Sequence, residues 1–123
     1  MALYREAIDL VMRGVCSVED VDKAVCFGPG LRYALMGPNL IYHLGGGPFG
    51  IKGIIKHIGP SVDLWLADMA DWKKLPADWP EMAQEGVMKE TENRVEKQGR
   101  TPEDIARWRD EGLLMLLNFL DKI

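Results

Sequence analysis

Residues 27–50 read FGPGLRYALMGPNLIYHLGGGPFG. Within them, Gly45-Gly46-Gly47-Pro48-Phe49-Gly50 fits G-x-G-x-x-G letter for letter. That pattern cradles a dinucleotide pyrophosphate when it joins a strand to a helix inside a parallel βαβ unit. The fold therefore turns on what flanks it. Asn39 to Leu44 has the apolar content of a strand, yet Gly37-Pro38 stands before it. Proline is well placed as the first residue of a helix, so PNLIYHL reads as a short helix closed by Gly45 to Gly47. No second strand follows at the required distance, and Pro48 removes a backbone N–H that a phosphate loop would offer. Asp68 stands about where a ribose-binding acid would, but WLADMADW has a helical period. The match reads as a glycine-rich turn, and no nucleotide is expected there.

Outward from this stretch the pattern stays helical. ALYREAIDLVMRG puts Leu3, Ala7, Leu10 and Val11 on one face, and Gly14 ends that helix. Ser17, with Asp20 three positions on, resembles a capping box; Val21, Ala24 and Val25 are the stripe of the helix it starts. Gly28-Pro29-Gly30 breaks this helix and leaves Arg32 in a loop. On the far side, IKGIIKHI forms a further helix, which Gly59-Pro60 divides from SVDLWLADMADW. KKLPADWP is a loop, and the charged run from Glu81 to Lys97 predicts a solvated helix. Thr101 caps the last helix, with Pro102 at its first position and Glu103 and Asp104 at the positive end of its dipole. Ile105, Trp108, Gly112, Leu116 and Leu120 step down its inner face. The fold class is all-α, a compact bundle of about six or seven helices.

Composition narrows the function. The 123 residues suit a single domain, and a net charge of −4 gives no basic surface for nucleic acid. Arg5, Glu6 and Asp9 rule out a signal-peptide core at the start, and no apolar run reaches the ~20 residues of a membrane span. Cys16 and Cys26 lack zinc-ligand spacing and read as buried, reduced thiols, so a cytoplasmic location is expected.

REAIDLVMRGVCSVEDVDKAV, then GPGLRYALMGP and YHLGGG, resemble the C-terminal domain of the 3-hydroxyacyl-CoA dehydrogenase superfamily. The carrying residues are Arg5-Glu6-Ala7, Gly14, Ser17, Glu19 to Asp22, Gly28-Pro29-Gly30 and Gly37-Pro38. Gly30 to Ala34, Tyr42-His43-Leu44 and Trp108 to Glu111 resemble its L-carnitine dehydrogenase and lambda-crystallin (L-gulonate 3-dehydrogenase) branch. The resemblance covers nearly the whole chain and is loosest over residues 72–100. It implies the 6-phosphogluconate dehydrogenase C-terminal-domain-like architecture. It also implies a homodimer, NAD held by a Rossmann domain in cis or in trans, and a small 3-hydroxy acid or acyl-CoA substrate. In that family the Rossmann domain supplies the catalytic histidine and glutamate, and a catalytic asparagine precedes the first helix of the C-terminal domain. Residues 1–123 hold none of the three roles, so the chain reads as one half of an enzyme, inactive alone, whether as a fragment or as a stand-alone product of a split gene. A non-enzymatic dimerisation or ligand-binding module is the alternative.

The candidate residues follow. Arg32 has the planar fork that suits a carboxylate or phosphate, or a structural ion pair across its loop. The resemblance implies substrate contact for Arg32, Tyr33 and His43. Tyr33 and Tyr42 have rings that would flank a quaternary ammonium, or pack in a core. His43 reads as a hydrogen-bonded structural histidine more readily than as a general base, and His57 as solvent-facing. Asp20 and Asp22, two apart on a helix, diverge. No catalytic residue, cofactor-binding residue or metal ligand is expected in this chain.

Overall fold

A computed structural model describes every residue, Met1–Ile123. It holds seven α-helices, two short 3-10 turns and no strand, as the all-α reading required. The chain divides into two units, Met1–Pro76 and Ala77–Ile123.

In the first unit, α1 (Ala2–Met12) and α2 (Val18–Phe27) carry the best-buried side chains. Ile8 is only 1% exposed, and Val18, Val21 and Ala70 are also buried. Leu3, expected on the inner face of α1, is instead exposed, because the buried face is centred one position further round, on Ile8. Polar groups on α1 hold the segment from Ala70 to Trp72. The Glu6 carboxylate accepts from the Ala70 N–H at 2.9 Å, and Asp9 accepts from the Trp72 indole N–H at 3.2 Å.

The start of α2 is a full capping box. Ser17 Oγ accepts from the Asp20 N–H at 3.0 Å, and Asp20 Oδ2 accepts from the Ser17 N–H at 3.1 Å. Ser17→Ala is expected to cost about 1 kcal/mol in urea denaturation at neutral pH. The hydrogen bonds to the Ser17 side chain and backbone hold the Asp20 carboxyl below its ordinary value of 3.8. A depressed carboxyl stabilises the fold above its unfolded value, and that contribution is lost as pH falls through the folded one, below about 4.

Three elements shape the middle of this unit. The loop expected around Arg32 contains one helical turn, α3 (Gly30–Tyr33). Pro29 leads into it with φ −59°, already helical, and the Leu31 and Arg32 N–H groups bond back to Gly28 and Pro29. Helix α4 (Pro38–Gly45) starts at Pro38 and ends at the glycines, as read. Helix α5 (Gly50–Asp68) runs unbroken through Pro60, where a division was expected. A proline ring crowds the Cβ of the residue before it, and Gly59 has none, which removes one of the obstacles to a helical conformation there.

The turn between α4 and α5 is a 3-10 turn (Gly47–Phe49) followed by Gly50 at φ +63°. A Cβ on Gly46 would fall on the Gly50 carbonyl oxygen, so the two backbones meet with nothing between them.

The second unit has α6 (Trp79–Asn93), a 3-10 turn (Glu96–Gln98) and α7 (Pro102–Phe119). Helix α6 is largely exposed, as its charge pattern predicted, although Trp79 at its start is buried. Thr101 Oγ1 accepts from the Asp104 N–H at 3.2 Å, closing the expected cap of α7. The Arg94 guanidinium donates to the Gln98 and Gly99 carbonyls, both at 2.9 Å, and lies 5.0 Å from the centre of the Trp108 ring. Both cysteines are free thiols, but Cys16, ahead of α2, is half-buried, and Cys26 is exposed on α2, whose inner face Val18 and Val21 take.

Candidate functional site

Arg32 and Tyr33 leave the single turn of α3 and border a cavity of about 720 Å³. Met36 and Pro38 close one edge, Ile41, Tyr42 and Gly45 come from α4, and Ile54 reaches in from α5. A volume of this size lies within the ~300–1,000 Å³ typical of small-molecule sites. Its character is apolar with a few polar groups: two phenols and one guanidinium. Gly37 and Pro38 start α4, and Gly45 lets Ile54 approach, since a Cβ there would stand 2.8 Å from Ile54 Cδ1.

The main chain of Arg32 is held at both ends. Its N–H donates to Pro29, and its carbonyl accepts from Leu35 and Met36 at 3.0 and 2.9 Å. Its guanidinium is exposed and forms none of the ion pairs in the chain. A guanidinium with no acid beside it has the planar fork to pair with a carboxylate or phosphate. Tyr33 and Tyr42 share this cavity with it.

His43 is placed elsewhere. Its Nδ1 accepts from the Ile51 N–H at 3.3 Å, and its ring lies under Gly50, where a Cβ would come within 2.7 Å of Cε1. The ring caps an orphan N–H in the first turn of α5 and ties that helix to α4. The structure thus gathers Arg32, Tyr33 and Tyr42 and sets His43 behind them. Met36, Ile41 and Ile54 had no signal in the sequence that would single them out from other apolar residues.

The glycine-rich corner is a poor fit for a pyrophosphate. No strand enters it. The Gly46 N–H bonds to Tyr42 and His43, the Phe49 N–H to Gly46 and the Ile51 N–H to His43, so these amides are already used. Pro48 has no N–H to give. No group of three or more histidine, cysteine or acidic side chains gathers to hold a metal ion.

The model of the 3-hydroxyacyl-CoA dehydrogenase C-terminal domain matches residues 1–83. The chain belongs to that family. Its relatives include the L-carnitine dehydrogenase of Bacillus cereus, 38% identical over 122 residues, which cover 98% of this chain and 35% of that protein. The L-carnitine dehydrogenase of Oceanobacillus iheyensis is 36% identical, over 98% of this chain and 37% of its own length. That of Pseudomonas aeruginosa is 38% identical, over 94% and 34%. The chain spans about a third of the length of the curated relatives it matches. It is a domain of an oxidoreductase family, and no helix in it is long and apolar enough to cross a membrane.

Proposed function

We propose that this chain forms the helical wall of the substrate cleft in an NAD-dependent dehydrogenase of small 3-hydroxy acids, with L-carnitine as the substrate. One observation carries the reading: Arg32, Tyr33 and Tyr42 border a single cavity, and the arginine has no internal acid. L-Carnitine has a carboxylate for the guanidinium and a quaternary ammonium for the two aromatic faces. The name borne by the relatives supports the same choice. These residues bind and orient the substrate and keep water from its apolar side. NAD and the groups that move the hydroxyl proton belong to a Rossmann portion, in cis or in trans. The test is steady-state kinetics of the two portions together on L-carnitine, L-gulonate and a short 3-hydroxyacyl-CoA. Preference for L-carnitine supports the proposal, and preference for the thioester refutes it.

The chain is also expected to act as a two-fold homodimer. Leu64, Trp65 and Leu66 are consecutive on α5 and each at least half exposed. Three successive positions span about 200° of a helix, a wide apolar arc of the kind that packing partners cover. On α7, Leu113, Leu114, Met115 and Phe119 are similarly exposed. A closed dimer is the commonest way to cover such surface. Light scattering at tens of micromolar should give a mass twice that of the chain; a monomer mass counts against the reading.

A further inference from the structure

Ile54 is the one residue bordering the Arg32 cavity that lies outside the stretch 29–45. It comes from α5 and stops against Gly45 of α4, where a Cβ would stand 2.8 Å from its Cδ1. The side chain is half-buried: its tip packs on Gly45, and it also borders the cavity. We propose that Ile54 is a specificity-determining residue, setting how long a hydrocarbon body a hydroxy acid held at Arg32 can carry, a role that rests on the reading of this cavity as the substrate cleft.

Two features make this wall hard to displace. Helix α5 is fixed to α4 just ahead of Ile54, where the Ile51 N–H donates to His43 Nδ1 and the backbones of Gly46 and Gly50 meet. The side chain is itself branched at Cβ and has few rotamers open to it. Met36, on another wall of the cavity, has the opposite character, since an unbranched thioether adapts to what lies beside it. A wall that cannot retreat turns its own volume into a limit on the ligand. Close-packed surfaces feel a change of one methylene, and in an apolar pocket that change is worth about 10- to 200-fold in discrimination. Arg32 supplies the other constraint. A carboxylate paired with its fork is fixed at one end, so every added carbon has to be accommodated among the apolar walls. An anchor and a fixed wall together measure length.

The enzyme containing both portions is assayed on L-carnitine, with L-3-hydroxybutyrate, L-3-hydroxyhexanoate and L-3-hydroxyoctanoate as competitors. Each competitor then yields a Ki whether or not it reacts. The readout is the Ki for the octanoate divided by that for the butyrate, which a general loosening of the fold leaves unchanged. Ile54→Ala should lower this ratio about tenfold or more, and Ile54→Phe should raise it by a similar factor. Should the alanine variant lose its fold, Ile54→Val, which keeps the branch at Cβ, should lower the ratio several-fold. A ratio that stays at the wild-type value in the folded variants, or moves the same way in the smaller and the larger ones, overturns the assignment. Arg32→Ala, assayed alongside, tells which statement has failed. A raised KM there with unmoved ratios at Ile54 keeps the cavity as the substrate cleft and strikes Ile54 alone. No turnover of L-carnitine by the wild type, or no effect of any variant, Arg32→Ala included, strikes the cleft reading and the role of Ile54 with it.

Discussion

Arg32→Ala is expected to raise KM for the hydroxy-acid substrate about ten- to hundredfold in the enzyme containing both portions, with kcat changed far less. The lost contact is a charge-assisted pair worth ~1.5–3 kcal/mol, made alike in ground and transition state, so its loss falls on KM. Arg32→Lys is expected to do nearly as badly, because an ammonium cannot offer two parallel donors to one carboxylate. Neither variant should move the melting temperature. The guanidinium is exposed and unpaired, and α3 keeps its turn through backbone bonds that any side chain permits. A structural role for Arg32 makes the opposite forecast: stability falls while KM stays. The melting curve and the kinetics, taken on the same two variants, separate the readings, and a large drop in melting temperature with unaltered KM would falsify the clamp.

Features encoded within four residues of one another were legible in the sequence. Ser17 with Asp20, Thr101 with Pro102, and Gly37-Pro38 each announced a helix start, because a cap is a local hydrogen bond or a fixed φ. The family resemblance rested on the same local stretches, and residues 1–83 match its model. What escaped was set at a distance. Ile8 falls outside the inner face read for α1, and only the packing of the whole unit makes it the best-buried residue there. Pro60 is the local exception: it reads as a break, yet α5 continues through it after a glycine that lacks the Cβ a proline ring would crowd.

The site was legible in the same uneven way. Arg32 and Tyr33 were singled out from the GPGLRYA motif, and both border the cavity with Tyr42. The wall opposite comes from Ile54, which is more than 20 positions away and looks like any helical isoleucine. His43 shares the YHLGGG motif with Tyr42, but adjacent helical positions point about 100° apart. One therefore meets the cavity and the other meets α5. Motif membership placed residues at one cavity wall, and helix geometry decides which of its letters face it.

Gly46→Ala is expected to lower stability by about 3 kcal/mol in urea denaturation. Overpacking ordinarily costs ~1–3 kcal/mol, and the upper end applies when the obstacle cannot rotate away. Here the obstacle is the Gly50 carbonyl oxygen, part of the backbone that starts α5. Gly50→Ala should cost at least as much. Its φ of +63° with ψ of −157° is a region kept almost wholly for glycine, and the new methyl would press on the His43 ring. Loosening that ring also releases the Ile51 N–H, so the two helices lose both their close approach and their tie. Gly47→Ala is the control, since its φ is +56° but nothing lies within 4 Å of the added Cβ. It should cost only about 1 kcal/mol, the strain of a left-handed alanine. A phosphate-binding loop predicts another order, in which all three variants lose nucleotide affinity and the penalty on stability is small. Large losses at Gly46 and Gly50, with a small one at Gly47, identify a helix corner whose glycines serve contact between backbones.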